Sequence, residues 1–167
     1  MRSMTFEDEN LIRKKIEYKD GVLYWAVRTG GIEKGTEAGY KGRDGYWRVR
    51  VAGHRLLSHR LIFFLHYGYF PYQVDHINRV CDDNRIENLR ECTDLQNRRN
   101  CDYLEPGKTV ARNIGWRKDK QKYRVRLRVN GKELHLGHYD DLELAELVAS
   151  EARNKYYGEW AYDYEKD

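Results

Sequence analysis

The chain has 167 residues, 40% of them apolar and 35% charged, and its 31 Lys/Arg against 27 Asp/Glu give a formal net charge of +4. That length suits one ordinary domain or two small ones, and so polar a composition allows only a thin core. It excludes a membrane-spanning helix, because the densest apolar run, LIFFL at residues 61–65, is far too short to cross a bilayer.

Charge is unevenly distributed. Residues 41–60 carry six Lys/Arg against one acid, a net +5; residues 108–137 carry ten against two, a net +8; residues 138–167 carry three against nine, a net −6. Two separate basic stretches suit two contacts with a phosphate backbone. Fourteen Tyr and four Trp are many for so polar a chain, and aromatics among cations suit a nucleic-acid surface as well as a small core. Cys81, Cys92 and Cys101 form no C-x-x-C pair. This argues against a disulfide framework or a structural zinc site and for a reducing, cytoplasmic setting. The opening MRSMTFEDEN is too polar and acidic for a signal peptide.

In chain order, the first expected element is a β-like piece at residues 21–27 (GVLYWAV). Residues 46–51 (YWRVRV) alternate, with Arg48 and Arg50 opposite Trp47, Val49 and Val51. Residues 59–67 (HRLIFFLHY) read as a buried helix ended by Gly68, although periodicity alone leaves a strand open. Residues 74–78 (VDHIN) predict a short strand, and residues 84–92 (NRIENLREC) a turn and a second strand. Thr93 and Gln96 have capping-box spacing, so a helix should start at Thr93. Glu105-Pro106-Gly107-Lys108 is the best linker. It divides the chain into expected domains 1–105 and 106–167.

The second part starts with a candidate strand at residues 115–118. Residues 123–129 (YRVRLRV) then alternate strictly, with Arg124, Arg126 and Arg128 on one face. Asn130-Gly131 is a strong hairpin signal, and residues 132–139 (KELHLGHY) return. Residues 141–157 predict a helix with Asp140 as N-cap, Glu143 in the first turn, and Leu144, Ala145, Val148, Ala152 and Tyr156 near one face.

Asp75-His76 is the first candidate for chemistry. Neighbours on a strand point to opposite faces, so one could hold a metal while the other approaches a water. Asn88 follows thirteen residues later, and Asn97 twenty-two residues after Asp75. A strand–strand–helix unit this short folds back on itself, so Asn97 can face Asp75. One carboxylate and one amide oxygen suit Mg²⁺, with Mn²⁺ the alternative. His54, His59 and His66 are read as packing or hydrogen-bonding residues, with His59 able to touch the hairpin.

The run HRLIFFLHYGYFPYQVDHINRVCDDNRIENLRECTDLQNRRN, residues 59–100, resembles an HNH nuclease of the phage and intron homing-endonuclease type. The shared features are the leading HRL, the DH pair, the N-R-I-E-N-L-R stretch and the closing N-x-x-N. The resemblance implies an α+β fold with a ββα-metal nuclease core (residues 59–101) preceded by β-strands and a helix. It makes Asp75 and Asn97 metal ligands, His76 the general base and Asn88 the brace of the loop holding the histidine; Asn100 is the alternative to Asn97. Arg85 or Arg90 could neutralise phosphate oxygens.

Residues 113–162, built around IGWRKDKQKYRVRLRVNGKELHLGHYDDLELAELVASEARNKYYGEW, resemble an Apetala-type DNA-binding domain. The opening A-R-N-I-G-W departs from the usual S-x-Y-x-G-V of that family. The resemblance implies a small three-stranded antiparallel sheet plus helix, with Trp116, Arg117, Lys122, Arg124, Arg126, Arg128 and His135 facing DNA. Arg48 and Arg50 are the candidate contacts in the upstream basic stretch. The expected whole is a site-specific nicking or homing endonuclease that cuts double-stranded DNA as a monomer, or as a dimer where both strands are cut. The alternatives are a DNA-binding regulatory module with a silent nuclease centre, and an RNA-binding or RNA-cleaving protein.

Overall fold

A computed structural model describes residues 3–101 and 110–161. The chain divides into two compact units, Met1–Asp94 and Leu95–Asp167. The Glu105–Lys108 stretch read as a linker, and the acidic tail beyond residue 161, lie outside the described residues.

The first unit opens with a helix that the sequence pattern does not announce. Helix α1 (Phe6–Lys15) starts at a capping box. The Asp8 N–H donates to Thr5 Oγ1 at 3.2 Å, and the Thr5 N–H donates to Asp8 Oδ2 at 3.0 Å, which satisfies two of the helix's otherwise orphaned donors. Strands β1 (Ile16–Lys19) and β2 (Val22–Trp25) form a hairpin. The three-stranded sheet β3 (Tyr40–Lys41), β4 (Trp47–Val51) and β5 (His54–Leu57) follows. In β4 the alternation predicted from YWRVRV holds, with Val49 and Val51 buried and Arg50 exposed. Helix α2 (Ser58–Tyr67) covers the apolar run and ends at Gly68, whose φ of 91° suits a left-handed C-cap. Strands β6 (Val74–His76) and β7 (Leu89–Glu91) pair antiparallel, Asp75 opposite Arg90 and His76 opposite Leu89. One core unites these pieces: Ile12 and Ile16, Leu23 and Trp25, Val49 and Val51, Leu61 to Phe64, Val74 and Leu89.

The first predicted strand of the β6–β7 hairpin is shorter than expected, while residues 84–92 form a turn and a strand as expected. The first ends at His76 rather than Asn78, and a 3₁₀ turn, Ile86–Asn88, occupies the centre of NRIENLREC. The reason is visible in the hydrogen bonds: backbone groups of Asn78 and Val80 pair with asparagine side chains instead of a neighbouring strand. Helix α3 (Asp94–Asn100) begins one residue after Thr93.

In the second unit, β8 (Ile114–Arg117), β9 (Lys122–Val129) and β10 (Lys132–Tyr139) form an antiparallel sheet in the order β10-β9-β8. The β9–β10 turn places Asn130 at φ 50° and Gly131 at φ 79°, the two positive values that a tight primed turn requires. Helix α4 (Leu142–Tyr157) packs on this sheet with Ala145 and Ala149 against Ile114 and Val125. Its N-cap is Asp141, whose carboxylate accepts from the Leu144 N–H at 3.0 Å, so the cap lies one residue after the expected Asp140. The buried face also differs. Ala145, Ala149, Ala152 and Arg153 are inside, while Leu144 and Tyr156 are exposed; a stripe of small residues lets the helix lie close to the sheet. Asp141→Ala should cost the second unit about 1 kcal/mol, read as a lower thermal midpoint for that unit. Asp140→Ala should leave the midpoint in place.

Cys92 is buried and Cys101 exposed. Burial pushes the Cys92 thiol up to about 11, and a thiol reacts through its thiolate. In a thiol-reagent titration of the native protein Cys101 should react promptly, and Cys92 only after denaturation. Prompt labelling of Cys92 would contradict the packing around β7.

Candidate nuclease site

The β6–β7 hairpin and its connecting loop bring together Asp75, His76, Asn84 and Asn88, all buried. The loop is tied by side-chain amides. Asn88 Oδ1 accepts the Asn78 N–H at 3.0 Å, and Asn88 Nδ2 donates to Asn78 Oδ1 at 2.9 Å and to the Asp83 carbonyl at 2.7 Å. Asn78 Nδ2 donates in turn to Asp83 Oδ2 at 2.7 Å. One buried carboxamide thus spans both ends of the loop, using its donors and its acceptor together.

The N-terminal hairpin supports the same loop from outside. The Ile86 N–H donates to the Tyr18 hydroxyl at 3.0 Å. Gly21, at φ 86°, lies so close that an added Cβ would sit 3.1 Å from the Arg85 backbone nitrogen. A side chain there would push on the residue next to Asn84.

His76 Nε2 lies 2.9 Å from Asn84 Oδ1. A carboxamide oxygen only accepts, so Nε2 carries the hydrogen and the lone pair of the neutral ring sits on Nδ1. Two further rings flank His76: His59 on α2 at 4.9 Å between centroids in an edge-on arrangement, and Tyr46 at 6.0 Å. His59 is buried, and desolvation pushes its imidazole down to about 3, with the neighbouring His76 and the cations Arg60 and Arg48 adding to the effect. It therefore stays neutral at ordinary pH.

Asp75 pairs with Arg90, whose Nε lies 2.9 Å from Oδ2. A buried carboxylate needs such compensation. Arg85 is held by Asp83 at 2.8 Å and lies near Glu87. Both arginines expected near phosphate thus have carboxylate partners here. Asn97 is half-buried on α3, and its neighbour Asn100 is buried. Among the described residues no group of three or more His, Cys, Asp or Glu is arranged to hold a metal ion. The donors expected from the sequence, the Asp75 carboxylate and the Asn97 carboxamide, belong to the first and the second unit respectively; both are hard oxygens, a chemistry that suits an ion keeping most of its water, such as Mg²⁺.

The remaining candidate cations are also mostly engaged. Arg48 makes a two-pronged contact with Asp44, one prong at 2.7 Å. In the second unit Arg117 pairs with Asp119 at 2.7 Å, Lys122 with Asp140 at 3.0 Å and Arg126 with Glu133 at 3.0 Å. Arg50 and Arg128 are exposed, Arg124 is half-buried, and exposed Trp116 stands edge-on to Tyr123 at 4.7 Å. His135 is exposed and its ring is 4.7 Å from that of His138.

Asn84 is the residue that the sequence does not single out. It stands there as the start of NRIENLR, with no part in the site. His59, expected to pack, does so directly against the candidate base.

Residues 56–99 match the family model described as HNH endonuclease. The match spans β5 to α3 and takes in the whole β6–β7 hairpin. It supports a nuclease core of this type over those residues. No curated protein and no solved structure matches the chain, and no helix among the described residues is long and apolar enough to cross a membrane.

Proposed function

We propose that this chain hydrolyses phosphodiester bonds in double-stranded DNA as a metal-dependent endonuclease of the site-specific nicking or homing type. The observation that carries the reading is the coincidence of the HNH match with a buried histidine whose tautomer is set by Asn84. His76 Nδ1 takes the proton of the water that attacks phosphorus. Asn88 keeps the loop, and with it Asn84, in place. Asp75 and Asn97 would hold the divalent ion, Mg²⁺ or Mn²⁺, which when bound supplies positive charge beside the phosphate and the leaving 3′ oxygen. Arg90 stays with Asp75 and orients it, which leaves the more exposed Arg85 to meet phosphate.

The second unit acts in this reading as an Apetala-type DNA reader. Support comes from a three-stranded sheet backed by one helix, with Arg126 and Arg128 exposed on β9. The ion pairs of Arg117, Lys122 and Arg126 are solvent-exposed and therefore weak, so DNA phosphates can replace their carboxylates at little cost. Arginines on such a strand serve both phosphate and guanine.

Supercoiled plasmid incubated with the protein and Mg²⁺ should be nicked, and EDTA should stop the reaction. One centre per chain makes a nicked circle the product of a monomer; linear product points to paired chains. DNA binding without cleavage in Mg²⁺ or Mn²⁺ would replace this reading with a regulatory module whose nuclease centre is silent.

A further inference from the structure

The second unit contains a cavity of about 450 Å³. Four arginines line it, Arg98 and Arg99 from α3, Arg112, and Arg128 from β9, together with Asn130 and Tyr157, and among the described residues no carboxylate does. Of these arginines only Arg128 belongs to the DNA-reading set expected from the sequence. The cavity's volume lies within the roughly 300–1,000 Å³ of ordinary ligand sites. We propose that this cavity is a phosphate-binding site that takes a backbone phosphodiester of DNA away from the one being cut, an inference that rests on the DNA-cleaving reading.

The first argument is electrostatic. Gathering the Arg98, Arg99 and Arg128 guanidinium groups around one cavity raises the energy of the unliganded protein unless an anion is taken up. Elsewhere in this chain Arg48, Arg85, Arg90, Arg117 and Arg126 each have a carboxylate partner. Among the described residues Arg98, Arg99 and Arg128 have none. This arrangement favours a ligand with negative charge and several acceptor oxygens, and planar guanidinium forks match the oxygens of phosphate.

The second argument is that the cavity is built. Arg112 Nη2 donates to the carbonyls of Arg98 and Arg99 at 3.1 and 2.9 Å, which fastens the end of α3 to this unit and places a cation where a helix's negative end favours one. Tyr157 donates its hydroxyl to the Arg128 carbonyl at 3.0 Å. The Arg99 guanidinium lies over the Tyr157 ring at 4.3 Å, which fixes its plane. Arg99 Nε is nevertheless buried with no hydrogen-bond partner among the described residues. A buried donor in that condition is costly, and a phosphate oxygen would satisfy it.

The test measures DNA binding by the full chain in EDTA, so that its outcome is independent of cleavage. A short duplex of arbitrary sequence is titrated by fluorescence anisotropy over a range of KCl concentrations. Arg98→Gln and Arg99→Gln should each reduce the steepness of the salt dependence by about 0.9, equivalent to about eightfold in affinity at ~0.1 M salt. Lys14→Gln, on the exposed side of α1, gives the baseline for losing one charge elsewhere. Exposed Arg98 keeps the test decisive if Arg99→Gln fails to fold. In parallel, the Arg99 Nε–Hε resonance of the wild type is followed as inorganic phosphate is added at constant ionic strength, and it should move. If the resonance moves but both variants keep the wild-type salt dependence, or the wild type does not bind the duplex, the site takes free phosphate and the DNA assignment is overturned. If neither readout responds, the cavity binds no phosphate. A protein that binds DNA with the expected variant effects but never cuts it would retain this site while losing the nuclease reading.

Discussion

His76→Ala is expected to lower the rate of plasmid cleavage by about 10²–10⁴-fold, the usual contribution of a positioned general base, while DNA affinity stays within about twofold. The separation of the two effects follows from the site. His76 is buried against the β6–β7 loop, among Asn84, His59 and Tyr46; the candidate DNA-reading cations of the second unit lie on other elements. The alanine variant removes the atom that takes the proton and leaves those cations untouched. Asn84→Leu provides a sharper version of the same prediction. It keeps the imidazole but removes the oxygen that holds the hydrogen on Nε2, so the ring can place its lone pair on either nitrogen. Cleavage should fall by less than in His76→Ala, and Asn84→Asp, which restores an acceptor oxygen at that position, should recover part of it. Equal cleavage by wild type and His76→Ala, measured with the same preparation of DNA and Mg²⁺, would remove His76 from the chemistry altogether.

What can be read from residues alone divides along physical lines. The strict alternation of residues 123–129 and the Asn130-Gly131 turn are legible because period two and positive φ are local properties, and β9, its turn and β10 lie where those signals put them. The nuclease segment is legible as a compound pattern over residues 59–100, close to the 56–99 of the family match. Helix α1 is not, because it places only Asp8 and Ile12 in the interior, and a single apolar residue leaves no stripe to detect. The face of α4 is misleading for a related reason: large apolar residues draw the eye, yet Leu144 and Tyr156 are exposed and the alanines make the contact. Asn84 is hidden because its bond to His76 depends on how the intervening loop closes, and spacing carries no record of that. The same holds for His59. Its place on α2 is readable, but its neighbour on β6 is brought to it only by the tertiary fold.

That buried histidine leads to the second large effect, a loss of stability in mild acid. In the folded protein burial holds His59 down to about 3, whereas in the unfolded chain it titrates near its ordinary ~6.5. Below about 3 both states carry the proton, and above about 6.5 neither does. Between those limits only the unfolded state binds it, so unfolding takes up a proton and stability rises with pH. The stabilisation is therefore complete above pH ~6.5 and is lost as pH falls towards ~3, a window of about three and a half pH units at about 1.4 kcal/mol each, or roughly 5 kcal/mol. Asp44, Asp83 and Asp119, which Arg48, Arg85 and Arg117 hold down to about 2, also lose their ion pairs in acid, but chiefly below pH ~4. Solvent weakens the effect of these surface pairs. The region from pH ~4.5 to ~6.5 therefore belongs to the imidazoles. His59→Phe, which keeps a ring of similar shape beside His76, should flatten the rise in denaturant midpoint across that region. Its stability at pH ~5 should approach or exceed that of the wild type, even if it is lower at pH ~7.5. His138, which desolvation also lowers, contributes a smaller slope of the same sign, and that slope remains in both proteins and cancels in the difference between them. Equal slopes for the two proteins from pH ~4.5 to ~6.5 would mean that the folded state accepts a proton at His59, and the ring would then have to be open to water.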